Sequence, residues 1–291
     1  MYVTVLTASP DAAILEAHLV EALRNGWGGG AARWLARGGA AEFDLPAMPD
    51  NLATVRAELD GLGVDLNVVP VAGRRKRLLL ADMDSTMIQQ ECVDELAAEA
   101  GVGPRVAAIT ARAMNGEIGF EGALRERVAL LAGLDASVID KVLAERITPM
   151  PGGGTLVATM KAHGARAALV SGGFTVFTEA VSARLGFDWN RANTLLVADG
   201  KLTGAPGEPI LGRAAKVAAL EELTAEMGIA EADVLAVGDG ANDLGMLTRA
   251  GMGVALHAKP AVQAEARYRI NHGDLTALLY LQGYRQADFV G

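Results

Sequence analysis

The stretch Leu78-Leu79-Leu80-Ala81-Asp82-Met83-Asp84-Ser85-Thr86 decides the fold that the sequence predicts. Its first four residues are apolar and follow a basic run, a pattern that is typical of a short strand buried inside a parallel sheet. Two carboxylates follow at once, at the carboxyl end of that strand, where ligands bind in open α/β sheets. We therefore expect an α/β fold with a parallel sheet and a ligand site directly after Ala81.

Two later strands are predicted to end in the same way. The apolar runs at 166–170 and 234–237 lead into Ser171 and towards Asp239, and helical patterns lie between the strands. Strands that alternate with helices favour a parallel sheet with right-handed connections. The three strand ends then share one edge of the sheet, so we expect Ser171 and Asp239 to lie close to Asp82.

The distribution of helical patterns predicts two domains. Four helical segments lie between residues 90 and 148 without a strand between them, which is typical of a helical cap inserted into a larger domain. We expect that domain to cover residues 75–291. Residues 1–74 combine strand-like and helical runs and are expected to form a smaller N-terminal α/β domain. The basic run at 74–77 is predicted to be solvated.

Composition narrows the class of protein. The 291 residues are 51% hydrophobic, which supports a sizeable core, and the formal net charge is −9. An acidic chain has no bulk attraction for nucleic acid or anionic membrane, so neither is expected as a partner. One cysteine, Cys92, excludes an internal disulfide, and no apolar run approaches the ~18 residues that a spanning helix needs. Because the start of the chain lacks a secretory pattern, we expect a cytoplasmic protein.

The spacing of Asp82 and Asp84 suits phosphoryl transfer. One carboxylate can attack phosphorus, while the other protonates the leaving alkoxide and then activates water. Clustered carboxylates repel a phosphate unless a cation lies between them. Asp239 and Asp243 supply further hard oxygen ligands of the kind that Mg²⁺ prefers.

The dianionic phosphate also needs donors. The hydroxyl of Ser171 and the backbone N–H of Gly172 can supply them, and Lys216 can bridge the phosphate and Asp82. Each signal is weak alone, since an Asp-x-Asp turn or a helical lysine is most often solvated. Neither acidic run fits an EF-hand loop, Asp243 occupies the third glycine position of a dinucleotide-binding fingerprint, and a Walker A sequence is absent.

Four segments together resemble the motif set of the haloacid dehalogenase (HAD) superfamily: Asp82–Thr86, Ser171–Phe174, Lys216 and Gly238–Asp243. Residues 78–279 resemble, more narrowly, the phosphoserine phosphatase family. The patterns at 89–97, 113–128, 146–149 and 199–204 carry that narrower resemblance. It implies a HAD-like Rossmannoid parallel sheet with a helical cap, a Mg²⁺ cofactor, and hydrolysis of O-phosphoserine through an aspartyl-phosphate, the last step of serine biosynthesis.

The resemblance also implies a role for each matching residue. Asp82 resembles the nucleophile and Asp84 the general acid/base. Mg²⁺ would be held by Asp82, the backbone carbonyl of Asp84, and Asp239, with Asp243 in support.

The substrate is expected to contact a further set of residues. A serine head group is a zwitterion, so its recognition needs one anion and one cation, and arginine suits a carboxylate. The substrate-binding set implied by the resemblance comprises Ser171, Gly172 and Lys216 for the phosphate, Glu91 for the ammonium, Arg127 for the carboxylate, Met114 and Phe120 for the apolar side, and Asn242 for the substrate or its phosphate.

Two other functions remain open on the sequence. The aspartyl-phosphate could pass to another alcohol, such as homoserine, because the same motifs serve both reactions. A receiver-type signalling module also uses an acidic cluster, but Asp84 and the predicted cap disfavour it.

Members of the family often carry an N-terminal module, sometimes of the ACT type, so residues 1–74 are expected to be ACT-like and to support a homodimer.

Overall fold

The computed structural model describes residues 1–11, 14–114 and 117–291, without the side chain of Met114. The first part of the chain forms an antiparallel sheet of order β2-β3-β1-β4. Two helices cross between its strands, so the element order is that of a split βαβ, ferredoxin-like unit. The elements are β1 (Tyr2–Ala8), α1 (Ala17–Gly26), β2 (Arg33–Ala36), β3 (Ala40–Leu45), α2 (Leu52–Asp60) and β4 (Val64–Pro70).

A six-stranded sheet of order β12-β11-β10-β5-β6-β7 forms the centre of the rest of the chain, and each of its paired strands is parallel. The parallel α/β fold expected from the sequence is confirmed. The strands are β5 (Leu78–Ala81), β6 (Arg166–Phe174), β7 (Trp189–Asn193), β10 (Val234–Gly238), β11 (Met252–Leu256) and β12 (Tyr268–Ile270), and a separate hairpin consists of β8 (Leu195–Ala198) and β9 (Lys201–Pro206).

A block of helices separates β5 from β6, as the cap prediction requires. It comprises α3 (Cys92–Glu99), α4 (Gly103–Met114), α5 (Phe120–Ala129) and α6 (Val138–Glu145). The hairpin β8–β9 lies against α5, where Gly204 approaches the side chain of Ala132. The cap therefore contacts the body through this hairpin as well as through its chain ends.

Further helices cover the large sheet. They are α7 (Gly153–Ala162), α8 (Thr175–Leu185), α9 (Arg213–Met227), α10 (Leu244–Arg249), α11 (Pro260–Glu265) and α12 (Ala277–Leu281). The strand β5 is fully buried on both faces, because Leu78 and Leu80 pack on the α9 and α10 side while Leu79 and Ala81 pack on the other. Among the described residues, none of the helices is both long and apolar enough to cross a membrane.

The two sheets share one continuous hydrophobic core. Val3, Val5 and Val69, on one face of the small sheet, belong to the same buried cluster as Leu278 and Leu281 of the α12 region. The opposite face of the small sheet packs on its own helices, α1 and α2.

Polar contacts complete this junction between the sheets. Arg74 lies in the basic run that was predicted to be solvated, and that prediction is wrong for this residue. Its Nη2 donates to Glu42 Oε2 at 2.6 Å, and its Nε donates to the carbonyl of Leu281 at 2.8 Å. Glu42 is buried, so the guanidinium supplies the partner that a buried carboxylate requires.

Candidate active site

Asp82 lies one residue beyond β5, at the carboxyl edge of the large sheet. Its backbone N–H donates to the carbonyl of Val237 at 3.0 Å, which extends the β5–β10 ladder by one residue. Its side chain is buried, and Oδ1 accepts the backbone N–H of Met83 at 2.8 Å. Burial, with the nearby charge of Asp243, raises the pKa of the Asp82 carboxyl well above its usual value.

Lys216 neutralises part of this negative charge. The lysine lies in the first turn of α9 and is fully buried, with its Nζ 2.7 Å from Asp82 Oδ1 and in an ion pair with Asp243. Burial alone would lower the pKa of Lys216, but the carboxylates of Asp82 and Asp243 raise it above its ordinary value. The lysine is therefore a permanent cation beside Asp82.

Asp84 is held on the other side of the turn. Its Oδ1 accepts the backbone N–H of Cys92 at 3.0 Å, at the first turn of α3, and its Oδ2 accepts the hydroxyl of Ser171 at 3.2 Å. Burial raises the pKa of the Asp84 carboxyl, although both hydrogen bonds oppose the shift. A carboxyl group that retains its proton more readily suits a general acid.

The strand that was expected to end before Ser171 is longer in the structure. The strand β6 continues to Phe174, and its pairing with β7 is irregular between Val170 and Phe174. An irregularity of this kind redirects side chains at a sheet edge. Here the backbone N–H of Gly173 donates to Ser171 Oγ at 2.8 Å, which fixes the hydroxyl next to Asp84.

Asp82, Asp239 and Asp243 form an acidic cluster in which one oxygen of each residue lies within 4.8 Å of the others. Burial and the charge of Asp243 raise the pKa of Asp239 to about 6, and Thr86 Oγ1 donates to its Oδ1 at 3.2 Å. Three hard oxygen donors that repel one another fit a divalent cation such as those bound by carboxylates in phosphoryl-transfer sites.

Asp243 holds this cluster together. Its Oδ1 pairs with Lys216, and its Oδ2 accepts the backbone N–H of Gly240 at 2.9 Å. Asn242, which was predicted to contact the substrate, is half-buried in the same turn, with its side-chain oxygen next to Gly240.

The cap brings Glu91 and Arg127 towards these carboxylates. Ser85, which has a left-handed backbone with φ 54°, donates its hydroxyl to Glu91 Oε1 at 2.7 Å. Although part of Glu91 is exposed at the surface, desolvation of its carboxylate and the charge of Asp84 raise its pKa to about 7. Glu91 and Arg127 therefore both interact electrostatically with Asp84 from the cap side.

Arg127 is half-buried and, among the described residues, forms no ion pair. Its Nε donates only to the carbonyl of Ala123 at 3.3 Å. Burial lowers the pKa of Arg127, while the charges of Asp94 and Glu91 oppose that shift. The cap therefore presents a cation without a fixed anionic partner.

The ring of Phe120 lies over Gly172 and Gly212. A Cβ on Gly172 would be 3.1 Å from Phe120 Cζ, and a Cβ on Gly212 would be 3.2 Å from Phe120 Cδ1. The ring is 37% exposed, so it covers the site from the cap side while one face meets solvent. Met114 was predicted beside it, but its side chain lies outside the described part of the chain.

Three contacting residues of the site were not singled out from the sequence. Ser85 and Thr86 stand inside the first motif. The hydroxyl partner of Ser85 is Glu91, six residues later, and that of Thr86 is Asp239, which is distant along the chain. Asn193 is the last residue of β7 and carries no motif signal at all. Positions of this kind are set by tertiary contacts and leave little pattern in a single sequence.

Comparison with known proteins identifies the family. The profile for haloacid dehalogenase-like hydrolases matches residues 79–248. A phosphoserine phosphatase from Streptomyces coelicolor is 48% identical over 249 residues, which cover 84% of this chain and 60% of the relative. The chain thus spans less than two thirds of that relative's length.

Solved structures give the same fold. The crystal structure of a HAD family hydrolase from Salmonella enterica serovar Typhi has a TM-score of 0.87 and 31% identity, covering 96% of this chain and 97% of that chain. A phospho-aspartyl intermediate analogue of phosphoserine phosphatase has a TM-score of 0.66 and 41% identity, covering 71% of this chain and 98% of that chain. Because the family profile covers more than half of its residues, this chain belongs to the haloacid dehalogenase-like hydrolases.

Proposed function

We propose that this chain is a magnesium-dependent phosphoserine phosphatase, which hydrolyses O-phosphoserine to serine and phosphate. The observation that carries the proposal is the combination of a buried Asp82–Lys216 pair with a cap that presents Glu91 and Arg127, which forms no ion pair within the described part of the chain. The first part suits phosphoryl transfer and the second suits a zwitterionic head group. The names of the relatives support the same substrate.

In the first half-reaction the Asp82 carboxylate attacks phosphorus. An Asp82 Oδ–P bond forms, the bond between phosphorus and the serine oxygen breaks, and Asp84 gives its proton to that oxygen. The Ser171 hydroxyl, the Gly172 backbone N–H and Lys216 bind the phosphoryl oxygens. The raised pKa of Asp84 matches the role of proton donor at this step.

In the second half-reaction Asp84 acts as a base. It removes a proton from water, the water oxygen bonds to phosphorus, and the bond between phosphorus and Asp82 breaks to release phosphate. Phe120 and the cap would limit the access of bulk water during the first half-reaction.

The acidic cluster is the proposed place for Mg²⁺. Asp82, Asp239 and the Asp84 backbone carbonyl would hold the ion, and Asp243 would support it through its contact with Lys216. When bound, the cation neutralises charge between the carboxylates and the phosphate.

We also propose that residues 1–74 form an ACT-like module that supports a homodimer. The ferredoxin-like order of its elements and the free edge of β2, with Trp34 38% exposed, support this idea. Light scattering should then give twice the mass of the chain, and a Trp34→Lys variant should shift towards the monomer.

A phosphate-release assay with O-phosphoserine tests the function. The wild-type chain should release phosphate with Mg²⁺ and stop when EDTA is added, and Asp82→Asn should lose turnover by at least 1,000-fold, roughly the scale of removing a nucleophile. Asp140→Asn, which changes an exposed acid in the cap helix α6, is the control and should stay active. Substantial phosphate release by Asp82→Asn would refute the mechanism. If release falls when homoserine is added and a phosphorylated product appears, transfer to alcohol is the better assignment.

A further inference from the structure

Asn193 joins two segments of the site by its side-chain amide. It is the last residue of β7 and is 2% exposed. Its Nδ2 donates to the carbonyl of Gly172 at 2.8 Å and to the carbonyl of Leu211 at 3.1 Å. Its Oδ1 accepts the backbone N–H of Leu211 at 2.6 Å. Both donors and the acceptor of this buried amide are therefore used, as burial requires.

The two segments that it joins carry the groups that face the phosphate. Gly172 lies directly after Ser171, whose hydroxyl contacts Asp84. Leu211 comes just before α9, and Lys216 lies in the first turn of that helix. A displacement of Leu211 relative to Gly172 therefore changes the distance between the hydroxyl and the ammonium group that bind one phosphoryl group.

The same two segments also support the cap. The Phe120 ring lies against both Gly172 and Gly212. On the adjoining loop, Glu208 pairs with Arg125 of α5 at 2.7 Å. The loop at 207–212 is thus in contact with the cap on one side and with Asn193 on the other.

We propose that Asn193 is a positioning residue, which fixes the spacing between the Ser171–Gly172 phosphate donors and Lys216. The inference rests on the proposed phosphatase function and adds a residue outside the four motifs. Asn193 itself is assigned no contact with substrate, because both of its amide hydrogens are used by Gly172 and Leu211. Its effect passes through one backbone N–H and two backbone carbonyls, and a side chain of the same size without amide hydrogens cannot hold the two carbonyls.

The Asn193→Asp variant tests this role because it keeps the shape of the side chain and removes both donors. Its carboxylate would face the carbonyl oxygens of Gly172 and Leu211 without a hydrogen to offer. Asn190→Asp is the matched control on the same strand, since Asn190 Oδ1 only accepts the hydroxyl of Thr178 at 2.9 Å and a carboxylate still accepts it.

The expected result is a loss of phosphate affinity together with a loss of rate. For Asn193→Asp we expect kcat/KM on O-phosphoserine to fall roughly 10- to 100-fold, the scale of a small misplacement in an active site. The inhibition constant of inorganic phosphate should rise about as much as KM does, whereas Asn190→Asp should change neither by more than about twofold. A variant with a reduced folded fraction but intact sites would show a lower kcat with unchanged KM and phosphate inhibition, and that result would overturn the proposal.

A second variant and a second measurement cover a failure to fold. Asn193→Ser is uncharged and keeps one donor, so it should fold and show a smaller shift in the same direction. Calorimetric titration of wild type and variants with inorganic phosphate and Mg²⁺ measures binding without turnover. An inactive wild type would refute the proposed function alone. Equal phosphate affinity in wild type, Asn193→Asp and Asn193→Ser would refute the positioning role.

Discussion

At the scale of single residues, Arg127 has an environment that favours a bound anion. It is half-buried, its pKa is lowered by burial, and no carboxylate of the described residues pairs with it. A partly desolvated cation without a partner is costly, so a ligand carboxylate at this place regains the lost interaction. A bidentate contact with the serine carboxylate would provide that interaction.

Arg127→Ala should therefore weaken the binding of O-phosphoserine selectively. We expect KM for O-phosphoserine to rise by about 30-fold, corresponding to about 2 kcal/mol for a charged hydrogen-bonded pair. KM for a phosphate ester without a carboxylate should change little. Arg105→Ala, an exposed arginine in the neighbouring cap helix α4, is the matched control. Equal losses on both esters would contradict the head-group assignment.

Glu91 predicts a pH dependence. Its pKa is raised to about 7 by desolvation and by Asp84, so the carboxylate form that binds an ammonium dominates only above that pH. KM for O-phosphoserine should fall as the pH rises from 6 to 8, about one unit either side of that pKa. Because this pKa is raised in the folded protein, protonated Glu91 contributes to the stability of the fold. That contribution is fully present below the ordinary pKa of a glutamate and is lost as the pH rises through about 7.

Glu91→Gln tests this titration. The variant should show a higher KM for O-phosphoserine, and the titration of Glu91 should be missing from its pH profile. The phosphate of the substrate also titrates, so the pH profile of wild type on a phosphate ester without an ammonium gives the baseline. If wild type and Glu91→Gln show parallel pH profiles on O-phosphoserine, Glu91 does not titrate in binding.

The sequence predicted the charged residues of the site better than their supports. Asp82 and Asp239 directly follow strands, and the ends of parallel strands meet at one edge of the sheet, so their proximity follows from local pattern. Asn193 could not be found in that way, because its partners, Gly172 and Leu211, are distant in the chain. The burial of Arg74 was missed for the same reason, since its buried partner, Glu42, lies 32 residues earlier in strand β3 of the small sheet.

At the scale of elements, the turn between β10 and α10 is close-packed. A Cβ on Gly238 would overlap the carboxylate of Asp243, the residue that accepts from Lys216. We expect Gly238→Ala to destabilise the protein by about 1–3 kcal/mol, as overpacking does, and to lower phosphate release because Asp243 must move. Urea unfolding and the release assay measure the two effects.

Gly154→Ala is the matched control for that substitution. Gly154 lies in α7 with open space around the position of a Cβ, so alanine should be neutral or stabilise the helix by up to about 1 kcal/mol. A stable and fully active Gly238→Ala variant would show that the turn can relax.

Short elements escaped the sequence prediction. The strand β12 has only three residues, Tyr268–Ile270, and β7, Trp189–Asn193, has no apolar run or clear alternation. Both are placed by pairing with a neighbouring strand, a tertiary effect that overrides weak local propensity. The cap helices were predicted well because apolar residues recur in them at helical spacing, as Val106 and Ile109 do in α4 and Leu124 and Val128 do in α5.

At the scale of the whole molecule, Asp65 links the two sheets. This buried residue of β4 accepts the backbone N–H groups of Asn271 at 2.6 Å, His272 at 3.1 Å and Gly273 at 2.8 Å. Asp65→Ala would leave three donors without an acceptor, and we expect a loss of about 3 kcal/mol in the free energy of unfolding. Asp50 is exposed and lies just before α2, so Asp50→Ala should change the free energy of unfolding by less than about 0.5 kcal/mol.

A single unfolding transition should accompany that loss. Because Val3 and Val69 share a core with Leu281, the two sheets are expected to unfold together in both wild type and Asp65→Ala. Two separate transitions in urea would show that the sheets are independent.

The contacts of Asp65 and its neighbour Asn67 have a further consequence, which concerns aggregation. Strand β12 is the outer strand of the large sheet, and an outer strand normally leaves a row of free backbone groups on which another chain can add a strand. Here Asn67 takes both the carbonyl of Arg269 at 2.9 Å and its N–H at 3.1 Å, and Asp65 takes the three N–H groups that follow. Side chains of the small sheet therefore occupy the backbone groups of Arg269 and of the residues that follow β12, and they protect this edge of the larger sheet from edge-to-edge association.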